Sequence, residues 1–120
     1  KQLIHQLQQK WHHTSINIIH GDYFEYNEKH DLILEQTFFC ALHPSLRNAY
    51  VAHTKKLLHP NGKLVGVLFD THFDGGPPFG GSQKEYESLF AFEFQQISMN
   101  ACYNSISPRT GREIFIKIKP

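Results

Sequence analysis

Cysteine is scarce: Cys40 and Cys102 are the only two in 120 residues. That is too few for a disulfide framework, and a reducing, cytoplasmic setting is the expectation. The nine histidines are scattered apart from His12-His13. Neither HxxxH, HExxH nor CxxC spacing occurs, so no metal site is expected. No apolar run approaches the roughly 20 residues that cross a bilayer, and no secretory signal is read, so no membrane partner is expected. An excess of one charge is also missing. Twelve Lys and Arg face eleven Asp and Glu, for a net charge of +1. Without a basic stripe there is no nucleic-acid footprint. Finally, no Gly-x-Gly occurs, and the first glycine is Gly21. That excludes the dinucleotide-binding fingerprint.

What is present is ordinary globular material, 40% hydrophobic and 13% aromatic. It is enough for one domain over residues 1–120 with a real core. Leu3, Ile4, Leu7 and Trp11 recur at helical spacing, so 2–11 reads as a helix. Residues 16–20, Ile-Asn-Ile-Ile-His, read as a strand. Asp31-Leu32-Ile33-Leu34-Glu35-Gln36 reads as a strand buried on both faces of a parallel sheet. Pro44 suits a first helical turn, and Leu46, Tyr50, His53 and Leu57 share a face, giving a helix over 44–58. His59-Pro60-Asn61-Gly62 reads as its stop. Residues 63–69 form a further buried strand, expected to be central and parallel, and 71–81 a glycine- and proline-rich loop. Ser82-x-x-Glu85 is a capping box opening a helix through about Phe90. Residues 94–103 and 112–119 read as an antiparallel hairpin turning at 107–111. The order α-β-β-α-β-α-β-β means an α/β sheet, mostly parallel, with an antiparallel edge. A helix over 94–103 would overturn this reading.

In open α/β sheets, ligands sit at the carboxyl ends of the parallel strands. Three such ends carry polar residues: His20-Gly21-Asp22-Tyr23-Phe24, Glu35-Gln36-Thr37-Phe38-Phe39-Cys40 and Phe69-Asp70-Thr71. An aspartate there can accept from a ligand amine or hydroxyl, and an aromatic can stack on a ring. The plainer readings are a strand-to-loop turn at Gly21-Asp22 and core aromatics at Phe38 and Phe39. Glu35 has the chemistry of a general base or of a carboxylate holding a cation. Cys40 has that of a nucleophile, although no base is placed near it by sequence, and a buried thiol is the simpler reading.

These residues resemble the middle of a class I S-adenosylmethionine-dependent methyltransferase, and more narrowly the thiopurine and thiol/halide methyltransferase family. The resemblance runs from His20-Gly21-Asp22-Tyr23-Phe24 through Asp31 to Leu42, with its Phe38-Phe39-Cys40-Ala41. It continues over Leu57 to Leu64, the loop Asp74-Gly75-Gly76-Pro77-Pro78-Phe79, and the hairpin residues Tyr103 to Arg109 and Gly111-Arg112-Glu113. It implies a Rossmann-like sheet, S-adenosylmethionine as cofactor and a small-molecule acceptor, a thiol or halide-like anion. By matching position, Asp22 and Tyr23 meet the adenine part of the cofactor. Gln36 meets the methionine part, with Thr37 and Phe38 lining the methyl-transfer pocket beside it. Gly75, Gly76, Pro77, Pro78 and Phe79 cover the acceptor. No catalytic residue is implied.

The chain departs from the family's pattern at its start. The family's first two strands, glycine-rich loop, ribose-binding acid and amino-terminal cap have no counterpart. The chain therefore reads as the carboxy-terminal half of such a domain. In the family's strand order, 3-2-1-4-5-7-6, strand 31–36 would then be left with an open edge. A longer native protein, self-association through that edge, or strand 16–20 moving beside 31–36 would each cover it. A non-catalytic half-domain that associates through its sheet edge is the alternative function.

Overall fold

The computed structural model describes residues 2–120; Lys1 lies outside the described residues. Four strands form one mixed sheet: β1 (His30–Gln36), β2 (Leu58–Phe69), β3 (Gln96–Ala101) and β4 (Glu113–Lys119), in the order β1-β2-β4-β3. β1 and β2 run parallel, while β2–β4 and β3–β4 are antiparallel. This is the 4-5-7-6 end of the class I order, with the expected hairpin at its edge. Strand 63–69 lies inside β2 and is central, with β1 on one side and β4 on the other. Residues 94–103 contribute β3 and no helix.

Among the described residues, three α-helices accompany the sheet: α1 (Gln2–Lys10), α2 (Arg47–Lys56) and α3 (Gln83–Phe90). Pro44 opens a 3-10 turn, Pro44–Leu46, that leads into α2, and the His43 ring caps it by accepting from the Ser45 N–H at 3.2 Å. Ser82 Oγ accepts from the Glu85 N–H at 3.2 Å, so the capping box starts α3 as expected. α2 and α3 lay Tyr50, Val51, Tyr86 and Phe90 against Leu64, Leu68, Ile114, Ile116 and Ile118 of the sheet. The other face of the sheet carries the half-buried Val65 and Val67 and the exposed Leu32, Leu34 and Phe115.

β1 is not buried on both faces as expected: it stands at one end of the strand order, with Leu32 48% and Leu34 74% exposed. Two further expectations need correcting. Residues 16–20 form no strand, and Ile16 and Ile19 stay exposed. β-branched residues favour an extended chain, but a strand needs a hydrogen-bonding neighbour. The connection to β1 is also shorter than the dozen or so residues that a parallel crossover takes. Instead, Gln8 Nε2 donates to the Ile18 carbonyl at 3.2 Å. The second correction is the start of β2. Pro60-Asn61-Gly62 does interrupt the ladder, but as a bulge and not as a terminus. Between His30 and Leu32 of β1 the partner advances from Leu58 to Lys63. Proline is tolerated in sheets at such irregularities.

Tyr86 ties α3 to the end of β2. Its hydroxyl donates to the Phe69 carbonyl at 2.6 Å from a fully buried position. Burial pushes that hydroxyl up to about 12, with the Arg47 guanidinium opposing. A raised value in the folded chain favours the protonated form. Its stabilising contribution is therefore complete below pH 10 and lost as pH climbs towards about 12. Urea midpoints measured across that window should fall for the wild type and fall less steeply for Tyr86→Phe. Parallel slopes would place the alkaline loss elsewhere.

Candidate functional site

The carboxyl end of β1 is built around Glu35. As an inward-facing strand residue it is 5% exposed. Its Oε2 accepts from the Phe38 N–H at 3.0 Å and the Phe39 N–H at 3.1 Å, and its Oε1 accepts from the Tyr50 hydroxyl at 2.6 Å. Among the described residues no cation pairs with it. The carboxylate therefore clamps a turn, and that use of both oxygens displaces the general-base reading. Thr37, inside the turn, has φ 61. A β-branched residue adopts this left-handed conformation only when its surroundings hold it there.

The Asp22–Tyr23 turn packs against this structure from the other side. Asp22 caps the short 3-10 turn Tyr23–Glu25 by accepting from the Phe24 N–H at 2.9 Å. The Tyr23 ring stacks on Tyr50 with centres 5.7 Å apart and meets Phe38 and His53 edge-on, both at 5.1 Å. Its hydroxyl shares a hydrogen bond of 2.5 Å with Thr54 Oγ1 of α2. Burial raises the Tyr23 hydroxyl above its ordinary value, the Thr54 bond opposing and the Glu35 charge adding. Tyr50 is raised well above its own, by burial first and then by Glu35. Both hydroxyls stay protonated at neutral pH.

Beside these rings lies a cavity of about 460 Å³ lined by Ile19, Gly21, Asp22, Tyr23, Tyr26 and Phe38, among others. Most of the lining is aromatic or apolar, with the acidic Asp22 and Glu25 also in it. A second cavity, of about 580 Å³, lies under the 71–81 loop and includes Arg47, Asp70, Phe73, Gly75 and Phe79 in its lining. The loop hangs from the segment after β1. Phe79 N–H donates to the Cys40 carbonyl at 2.7 Å, and Arg47 Nη2 donates to the Gly80 carbonyl at 2.7 Å. The Arg47 guanidinium sits 4.8 Å from the centre of the Phe39 ring.

Of the residues singled out by sequence, Asp22, Tyr23 and Phe38 thus come together around one cavity, and Gly75 and Phe79 around the other. Gln36 and Thr37 are exposed at the end of β1 and line neither. Gly76, Pro77 and Pro78 are exposed on the loop without lining its cavity. Cys40 is buried, and burial followed by the Glu35 charge raises its thiol above the ordinary value. It is a buried thiol and not an activated nucleophile. Sequence reasoning missed Ile19 and Tyr26, and the supporting residues Tyr50, Thr54 and Arg47. Tyr50 stood in the helical stripe, but nothing local marked its hydroxyl as Glu35's partner.

Known proteins match this arrangement. The family model described as Thiopurine S-methyltransferase (TPMT) matches residues 2–114. The chain is 38% identical over 96 residues to "Probable thiol methyltransferase 2" of Arabidopsis thaliana, covering 77% of this chain and 42% of that protein. It is 35% identical over 96 residues to "Thiocyanate methyltransferase 1" of Brassica oleracea, with the same coverage of 77% and 42%. A "Thiopurine S-methyltransferase" of Vibrio atlanticus is 38% identical over 79 residues, 63% of this chain and 36% of that protein. The chain spans less than half the length of these relatives. Among solved structures, the PH0226 protein from Pyrococcus horikoshii superposes with a TM-score of 0.75 at 12% identity, covering 100% of this chain and 68% of that one. A TehB-like SAM-dependent methyltransferase from Corynebacterium glutamicum gives 0.71 at 12% identity, covering 98% and 62%. At such identities these likenesses speak for the fold, which is that of the class I methyltransferases. The family match reaches from α1 into β4 and takes in both cavities, and on it the chain belongs to the thiopurine S-methyltransferase family.

Proposed function

We propose that the protein transfers a methyl group from S-adenosylmethionine to a small acceptor, a thiol or a halide-like anion such as thiocyanate. The single observation that carries this reading is the cavity of Asp22, Tyr23 and Phe38 at the carboxyl end of β1. A flat heterocycle can lie against an aromatic lining of this kind. Asp22 uses Oδ1 on the Phe24 N–H, which leaves Oδ2 for an amine or hydroxyl of a ligand. Asp22 and Tyr23 would hold the adenine part of the cofactor. Gln36 would orient the methionine part with Thr37 beside it. Phe38, at the wall of the cofactor cavity, would border the methyl-transfer pocket, and the Gly75–Phe79 loop, over the second cavity, would cover the acceptor and exclude water.

The cofactor, when bound, supplies a methyl group on a cationic sulfonium. The reaction class is an in-line displacement, and this chain's residues serve it by alignment and by excluding water. A thiol acceptor reacts as its thiolate, having given its proton to solvent. An anion such as thiocyanate needs no base at all. That fits a site whose buried carboxylate, Glu35, is spent on a clamp. The two free cysteines, Cys40 and Cys102, suit the reducing, cytoplasmic setting that is part of this proposal. The non-catalytic half-domain has no support among these relatives, whose names are those of methyltransferases.

Calorimetric titration of the protein at its natural length with S-adenosylhomocysteine, the demethylated product, tests the site. Binding in the micromolar range, about −8 kcal/mol, is expected. Absence of any binding heat at millimolar ligand would remove the proposal.

A further inference from the structure

We infer that Glu35 is a positioning residue for the cofactor site: it holds the Thr37–Phe38 turn in register with the Tyr23 ring. The inference rests on the function proposed above and adds a residue to it. Glu35 touches neither cavity. Three contacts give it a reach beyond its own strand. Oε2 accepts from two successive N–H groups, those of Phe38 and Phe39. It thereby closes the turn over Thr37, whose φ of 61 is held as well by its own hydroxyl donating to the Gln36 carbonyl at 2.6 Å. Oε1 accepts from the Tyr50 hydroxyl, and the Tyr50 ring carries Tyr23 in a stack. The side of Tyr23 turned to Phe38 closes the figure at 5.1 Å. One buried carboxylate thus sets both aromatic walls of the cavity, Phe38 through the backbone and Tyr23 through Tyr50.

The chemistry required of this residue is specific. Two N–H groups and one O–H point at it, so it must accept at both ends. Glutamine meets the larger part of that demand and keeps the third bond with its direction reversed. Its carbonyl oxygen takes the two N–H groups, while its amide donates to the Tyr50 oxygen as that hydroxyl turns away. Alanine meets none of it, and aspartate is one carbon too short to span the turn. Glu35→Ala should therefore loosen the walls, while Glu35→Gln should retain them.

Two readouts on the protein at its natural length separate this role from a merely structural one. The first needs no ligand. The Thr37 Cα and Cβ chemical shifts should report a left-handed backbone in the wild type and in Glu35→Gln, and should move towards extended values in Glu35→Ala. The second is calorimetry with S-adenosylhomocysteine under conditions where circular dichroism shows every variant folded. The dissociation constant should rise by roughly 10-fold or more in Glu35→Ala, since small misplacements of positioning groups carry large costs. The stoichiometry should be unchanged, and Glu35→Gln should stay within about 3-fold of wild type, as a variant that keeps the geometry. If Glu35→Ala does not fold, Glu35→Asp replaces it with the same expectations. A folded Glu35→Ala or Glu35→Asp that binds with the wild-type constant overturns the inference, as does an unmoved Thr37 signal. If the wild type itself fails to bind, the functional proposal falls and this inference falls with it. The wild-type titration alone identifies that outcome.

Discussion

Gly66→Val should leave no folded protein, and Gly66→Ala should cost about 3 kcal/mol, the upper end of the usual overpacking range. Gly66 stands opposite Glu35 in the parallel register of β1 and β2. A Cβ added there would lie 2.7 Å from the Glu35 Cβ and 3.0 Å from its carbonyl carbon, and closer still to its carbonyl oxygen. Those obstacles are backbone and strand-bound atoms, so no rotamer change relieves them. β1 would have to leave β2, taking with it the clamp that Glu35 forms. Against a total stability of about 5–15 kcal/mol for a domain, the alanine variant remains measurable. Its urea midpoint should drop at an unchanged slope, and valine should give an unfolded far-ultraviolet spectrum. A wild-type midpoint for Gly66→Ala would mean that β1 and β2 stand further apart than described.

Tyr23→Ala should weaken S-adenosylhomocysteine binding about 30-fold or more, the scale of removing a stacked ring from a wall of a site. The substitution deletes the ring that packs on Phe38, Tyr50 and His53. It also leaves the Thr54 hydroxyl, on a residue with no exposure, without its partner. A stability loss of about 2–4 kcal/mol should accompany it, below the full cost of a deeply buried aromatic because Tyr23 is only half-buried. Tyr23→Phe separates the two contributions. It keeps the ring and loses only the hydrogen bond, so it should cost about 1 kcal/mol and bind nearly as the wild type does. Titrations of both variants at a temperature where each is folded decide the matter. Wild-type affinity in Tyr23→Ala would take the cofactor away from this cavity.

How far the sequence foretold this depends on whether a feature is local. The Ser82–Glu85 box, Pro44 in the first turn before α2 and the β3–β4 hairpin each rest on neighbouring residues, and each appears in the fold. Residues 16–20 carry the same local signal as a true strand, but pairing is decided by what lies beside them. Pro60-Asn61-Gly62 signals a break correctly, yet only the β1 register reveals that β2 begins before it. The site divides in the same way. Asp22, Tyr23 and Phe38 draw notice as polar and aromatic residues at expected strand ends, but the strand before Asp22 does not form, and their site roles come from the family resemblance. The bond from Tyr23 to Thr54 spans 31 positions, and no local pattern encodes it. Glu35 shows the limit most plainly. A carboxylate at a strand end can be a base or a clamp, and the choice lies in the backbone N–H groups of Phe38 and Phe39, invisible until the turn over Thr37 is known.

The most direct measurement is transfer of an isotopically labelled methyl group. The protein at its natural length is incubated with methyl-labelled S-adenosylmethionine and, in separate reactions, with thiocyanate and with an aromatic thiol, and the products are read by mass spectrometry. The expected result is a labelled methyl thioether or methyl thiocyanate, with S-adenosylhomocysteine formed in equal amount. Labelled cofactor recovered intact with both acceptors, from a protein shown to be folded, would contradict the assignment of methyl transfer to this site.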